Sequence, residues 1–117
     1  MNVEYYHKNI DPLGIATREY IEEKLNSIEK IDEIRDARVE VSQRKDGDFY
    51  LNVSIRSERG EEYRAEEKSP SVNACIDIIQ EEIKRQVRSD VEKARDLERR
   101  GGRSIKKKLT IDEDARF

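Results

Sequence analysis

The chain is poor in the residues that most often build catalytic and metal sites. It has no tryptophan, one histidine and one cysteine among its 117 residues. A lone Cys75 excludes an internal disulfide framework and fits a reducing compartment. A lone His7 offers neither a paired metal-ligand spacing nor a second titratable group for catalysis. We therefore predict no catalytic residue, metal site, cofactor or small-molecule substrate, and a protein that is not an enzyme.

Long apolar runs and glycine-rich phosphate loops are also missing. No stretch approaches the roughly 20 apolar residues of a membrane span. The first ten residues are polar and lack the apolar region of a signal peptide, which predicts a cytoplasmic protein with no membrane partner. Gly101 and Gly102 follow no predicted strand, so they do not form a nucleotide-binding loop.

Charge, in contrast, is abundant and unevenly placed. Charged residues make up 44% of the chain and hydrophobic ones 34%, with a net charge of −3. Residues 84–108 contain eleven basic and four acidic residues, a net charge of +7, so the remainder of the chain carries −10. Such a division concentrates attraction for polyanions in one region.

Alternation of apolar and polar residues predicts four strands. Glycines at residues 47 and 60 stand where hairpin turns need them, so the last three strands should form an antiparallel meander. The strands are expected near residues 2–7, 37–42, 49–56 and 62–66.

Three- and four-residue spacing of apolar residues predicts two helices. The first should cover residues 13–30, with Asp11 as N-cap, Pro12 in the first turn, and Ile15 and Ala16 in its apolar stripe. The second should open at Ser69 and Pro70 and end at Gly101 and Gly102. The stripe of the second helix comprises Val72, Ile76, Ile79, Ile83 and Val87.

The element order β-α-β-β-β-α predicts an α+β fold. Its simplest form is a two-layer sandwich in which both helices cover one face of a four-stranded mixed sheet, with the first strand parallel to its neighbour. We expect one domain at residues 1–100 and a flexible charged tail at residues 101–117. The open sheet face should be polar, built from Arg38, Glu40, Asn52, Ser54, Arg56, Arg64 and Glu66.

Basic residues on the helices are the remaining candidates for a functional site. Lys84, Arg85 and Arg88 lie within about one turn of the second helix. Cations clustered in this way on a rigid element can neutralise the phosphates of a nucleic acid. Arg18 and Lys24 lie on the first helix. Acidic neighbours flank all of them, so local pairing between helical residues remains an alternative to nucleic-acid binding.

Several segments together resemble the ribosome hibernation promoting factor family, also described as S30EA ribosomal proteins or sigma-54 modulation proteins. The similar segments have the sequences ATREYIEEKL at residues 16–25, IEK at 28–30, YRAEE at 63–67, NACID at 73–77 and IKRQ at 83–86. Asn73 and Glu82 depart from the family pattern, which has a tyrosine and a lysine there.

The resemblance implies a monomeric factor of the short form that binds the small ribosomal subunit and inhibits translation. It would cover ribosomal RNA in the channel for messenger and transfer RNA, reading shape and phosphate charge. A module for double-stranded RNA away from the ribosome and an adaptor that modulates a sigma-54 transcription factor remain alternatives. The RNA-binding residues that the resemblance implies are Lys8, Arg18, Lys24, Lys30, Lys84, Arg85 and Arg88.

Overall fold

The chain forms four strands and two helices in the predicted order. The computed structural model describes residues 1–104, with side chains up to residue 97. It divides into two compact units, Met1–Val87 and Arg88–Phe117. The predicted domain boundary at residue 100 stays a prediction, and residues 105–117 of the expected tail lie outside the described residues.

The elements are β1 (Asn2–Lys8), α1 (Ile15–Glu29), β2 (Ile34–Gln43), β3 (Phe49–Ser57), β4 (Glu62–Ser69) and α2 (Val72–Ser104).

The strands form one mixed sheet in the order β1-β2-β3-β4. β1 pairs with β2 in parallel, and the two later pairs are antiparallel, as predicted. Gly47 and Gly60 adopt φ angles of 94° and 90° in the hairpin turns. Glycine reaches this region without the steric cost of a β-carbon, so both turns can be tight.

One face of the sheet carries the core. Val39, Leu51 and Val53 are fully buried there, and α1 and α2 contribute Ile21 and Ile76 to the same interior. All five residues of the predicted α2 stripe are buried. The α+β two-layer prediction is therefore confirmed, and the alternation in the strands is its cause, because every second side chain faces the helices.

The predicted start of α1 is wrong by two residues, and its predicted N-cap Asp11 is wrong by three. The helix begins at Ile15 with Gly14 as its N-cap, and Arg18 N donates to Gly14 O at 3.0 Å. The backbone N–H of Leu13 instead donates to Nε2 of His7 at 3.1 Å, which fastens the preceding segment to β1. Ile15 and Ala16 consequently lie outside the core, and Ile15 is 68% exposed.

Both predicted ends of α2 also differ from the structure. Ser69 is the last residue of β4, paired with Phe49, so it cannot cap a helix. Ser71 is the cap instead, because its Oγ accepts from the N–H of Ala74 at 3.0 Å. The helix then continues through Gly101 and Gly102 to Ser104, since glycine weakens a helix without forbidding it.

The edge strand β4 is closed by a side chain from α2. The Gln86 amide accepts from the backbone N–H of Arg64 at 3.4 Å and donates to the Arg64 carbonyl at 3.0 Å. It thus occupies both backbone groups of Arg64, at which a further strand would otherwise pair. Such cover reduces edge-to-edge association of sheets.

Asn52 lies on the open face of the sheet, as predicted, but its side chain is buried by its neighbours instead of being exposed. It lies between Glu40 and Glu66 in the register of the sheet and is only 7% exposed. Its Oδ1 has no hydrogen-bond partner among the described residues. A buried acceptor without a partner loses its hydration and receives no bond in return.

Replacing Asn52 by valine should therefore stabilise the protein. Asn52→Val removes the unpaired acceptor and introduces a side chain that suits a central strand, so we expect the free energy of unfolding in urea to rise by about 1 kcal/mol. Ser54→Val, on the same face of the same strand, is the control for strand preference alone. A loss of stability in Asn52→Val would show that the amide has a partner in solution.

Cys75 of α2 lies in the core as a free thiol. It is fully buried, with Sγ 3.6 Å from the carbonyl oxygens of Phe49 and Glu67. Burial, followed by the charges of Glu67 and Asp48, raises the pKa of the thiol to about 11. The reactive thiolate is therefore scarce at neutral pH.

This shift predicts a thiol that alkylating reagents modify only after unfolding. Because two pKa units correspond to about a 100-fold smaller thiolate fraction, iodoacetamide at pH 8 should react with Cys75 at least about 100-fold more slowly in the folded protein than in urea. Mass spectrometry of timed samples measures both rates. Similar rates in the two conditions would contradict the buried position.

Candidate nucleic-acid interface

The two helices run parallel and are joined by polar side chains. Tyr20 of α1 donates to Asp77 of α2 at 2.6 Å, and Gln80 of α2 donates to Ser27 of α1. Contacts advance along both helices in the same direction, from Tyr20 and Asp77 to Ser27 and Gln80. We call the surface along this seam the interhelical groove, formed by Tyr20, Lys24, Ser27, Asp77, Gln80 and Lys84.

Asp77 of α2 contacts both Tyr20 and Lys24 of α1 at the first part of the groove. Its Oδ1 lies 3.7 Å from Nζ of Lys24, and the same ammonium group lies 5.0 Å from the centre of the Tyr20 ring. The hydrogen bond to Asp77 raises the pKa of Tyr20 above its ordinary value. Asp77 is about half exposed, so solvent screens its attraction to Lys24, and a phosphate can compete for that ammonium group.

Lys84 provides the second positive charge of the groove. It lies four residues after Gln80 and seven after Asp77, which places the three on one flank of α2. Its side chain is half-buried, and it forms no ion pair with any residue of the described chain. Lys24 and Lys84 therefore flank the seam, each supplied by a different helix.

Arg18 lies on the other flank of α1. Six residues separate it from Lys24, which corresponds to about 120° around the helix axis. The hydroxyl of Tyr5 on β1 lies 2.8 Å from Oε2 of Glu22 and 3.4 Å from the Arg18 carbonyl, so this flank faces β1. The structure thus does not bring Arg18 and Lys24 to one surface.

The remaining predicted residues are dispersed. Arg85 is 72% exposed and pairs with Glu82, three residues earlier, which is the local pairing left open by the sequence. Lys8 ends β1, and Lys30 is the C-cap of α1. Arg88 is exposed and is the first residue of the second unit. The assignment of all seven residues to RNA binding stays a prediction.

Tyr20, Asp77 and Gln80 were missed by the sequence reasoning, although they set the geometry of the groove. Gln80 is 8% exposed. A signal for it exists, because Gln80 follows Ile76 by four residues and therefore borders the apolar stripe. Nothing in the spacing shows that Tyr20 and Asp77 face each other, since they are far apart in the chain.

Membrane-spanning and metal-binding features are absent from the part of the chain that the structure describes. Among residues 1–104, no helix is both long and apolar enough to cross a membrane. Residues 1–97, whose side chains are described, contain no group of three or more histidine, cysteine, aspartate or glutamate side chains placed to hold a metal ion.

Comparison with known proteins adds a family and a set of similar folds. The sequence profile described as "Sigma 54 modulation protein / S30EA ribosomal protein" matches residues 3–95. A search of curated proteins finds no match.

Two solved structures share the fold. The N-terminal domain of Protein Y from Thermus thermophilus superposes with a TM-score of 0.66 at 24% identity, covering 74% of this chain and 96% of that one. A ribosomal subunit interface protein from Coxiella burnetii superposes with a TM-score of 0.69 at 18% identity, covering 79% of this chain and 99% of that one. At these identities the likeness concerns the fold.

Proposed function

Because the chain belongs to the sigma 54 modulation protein / S30EA ribosomal protein family, we propose that it binds the small ribosomal subunit and keeps ribosomes inactive. Proteins of this family associate with ribosomes and are not enzymes. The Coxiella burnetii protein of similar fold is a ribosomal subunit interface protein. We extend that location to this chain, acting in the cytoplasm under stress or in stationary phase.

The interhelical groove is the observation that supports this function best. Lys24 and Lys84 are held on two parallel helices whose spacing is fixed by the Tyr20–Asp77 and Ser27–Gln80 contacts. Charges on a rigid frame suit the phosphates of folded RNA, which proteins recognise mainly by shape and backbone. The groove can therefore dock on ribosomal RNA even though the whole chain is acidic.

Inhibition would follow from occupancy and needs no chemical step. A chain seated between the head and body of the small subunit would cover the channel for messenger and transfer RNA. The acidic remainder of the chain would repel other RNA segments, which favours one orientation of docking. Bound ribosomes would be stored until the factor dissociates.

Reversing the two groove charges should abolish binding. Lys24→Glu with Lys84→Glu places carboxylates where phosphates must approach, so we expect at least a tenfold loss of co-sedimentation with small subunits. The matched control is Arg35→Glu with Arg56→Glu, which changes the net charge equally at exposed positions on strands β2 and β3. Equal sedimentation of both variants would remove the groove from the binding surface.

Removing the charge of Asp77 should have the opposite effect. Asp77→Asn keeps an acceptor for Tyr20 but releases Lys24 from its carboxylate, so small subunits should stay bound at higher salt than with the unmodified chain. Glu62→Gln removes one negative charge from the edge strand β4 as the control. Weaker binding by Asp77→Asn, with an unchanged melting temperature, would contradict RNA docking in the groove.

Competition with duplex RNA distinguishes the proposed function from the alternative of a double-stranded-RNA-binding module. A duplex of about 16 base pairs spans the site of such a module. Added in excess, it should leave the chain on the small subunit. Displacement by the plain duplex would favour the module instead.

A further inference from the structure

The open face of the sheet contains a second concave site, away from the interhelical groove. It has a volume of about 980 Å³ and lies where β1 and β2 end and β3 begins. Lys8, Arg44, Tyr50 and Lys68 line it together with Tyr6. These side chains lie on the sheet face opposite the helices or in the hairpin loop beside it.

Positive charge is in excess among the residues that line this site. Its two carboxylates already have partners, because Asp46 lies 3.1 Å from Lys68 and Glu40 lies 3.8 Å from Arg38. The other three cations form no ion pair with any residue within the described range. They are Lys8, Arg44 and Lys45.

Two tyrosines provide aromatic surface beside these cations. Tyr6 on β1 is 43% exposed, with the Arg38 guanidinium 4.5 Å from its ring centre. Tyr50 on β3 has the Arg44 guanidinium 5.2 Å from its ring centre. Tyr6 pairs with Glu40 of β2, and Tyr50 pairs with Ser42, two residues further along the same strand. The two tyrosines are thus separated by two strand spacings across the sheet and by two residues along it. Their Cα atoms are therefore ~12 Å apart.

We propose that this site binds single-stranded RNA, with bases stacked on Tyr6 and Tyr50 and phosphates held by Lys8, Arg44 and Lys45. Proteins that bind single strands with little sequence preference stack the bases on aromatic rings and hold the phosphates with cations, and this open surface offers both. A duplex fits poorly, because its bases are already stacked on one another. The chain thus has two RNA-binding faces, the groove for folded RNA and the sheet for an unpaired strand.

Binding of a short oligonucleotide tests the proposal without ribosomes. Fluorescence anisotropy of labelled oligouridylate of about eight nucleotides, titrated with the full chain at low salt, should show saturable binding. Tyr50→Leu removes the ring and should weaken binding at least about fivefold, whereas Tyr50→Phe keeps the ring and should bind as the unmodified chain does. Circular dichroism melting verifies that both variants are folded.

Each outcome has a definite meaning. Saturable binding that Tyr50→Leu weakens and Tyr50→Phe preserves supports stacking in the sheet site. No binding of the oligonucleotide, equal binding by both variants, or preference for a duplex of the same length overturns the proposal. Since no ribosome is present, failure here leaves the groove and its co-sedimentation test unaffected.

Discussion

The parallel packing of α1 against α2 is the constraint on which the proposed docking depends. Apolar stripes bring both helices to one face of the sheet, but stripes alone leave their mutual position adjustable. Tyr20 with Asp77 and Ser27 with Gln80 fix that position. Lys24 and Lys84 acquire a defined separation as a result, which two lysines on free helices would lack.

Asp77 has two opposing effects in this arrangement. Its carboxylate accepts from Tyr20 and attracts Lys24, which orders the groove. The same carboxylate reduces the positive potential that a phosphate meets. Because the pair is partly exposed, screening limits its strength, so order is retained while Lys24 stays available. In the proposed docking, this balance would let a chain with a net charge of −3 present a local surface for RNA.

The sequence predicts the fold well because alternation and helical spacing are local patterns. The element order, the parallel first pair and the buried α2 stripe follow from them. The helix starts were wrong because Gly14 is extended, with φ −69° and ψ 166°, and because β4 extends to Ser69. Asn52 was misjudged because a central strand can bury a polar residue on its open face.

The candidate site was less predictable than the fold. Periodicity shows that Arg18 and Lys24 both lie beside the apolar stripe of α1, but it does not show which flank meets α2. Only Asp77, far along the chain, distinguishes them by pairing with Lys24. The pairing of Arg85 with Glu82 is local and was open from the outset. Long-range contacts thus determine which cations act together.

Salt dependence of binding to purified small subunits tests the central claim most directly. If Lys24 and Lys84 neutralise phosphates, the logarithm of the association constant should fall linearly with the logarithm of salt concentration. Lys24→Gln with Lys84→Gln should make that slope shallower by about 1.4 to 1.8, the share of two phosphate contacts. An unchanged slope in the double variant would contradict the account, because the groove would then release no counterions.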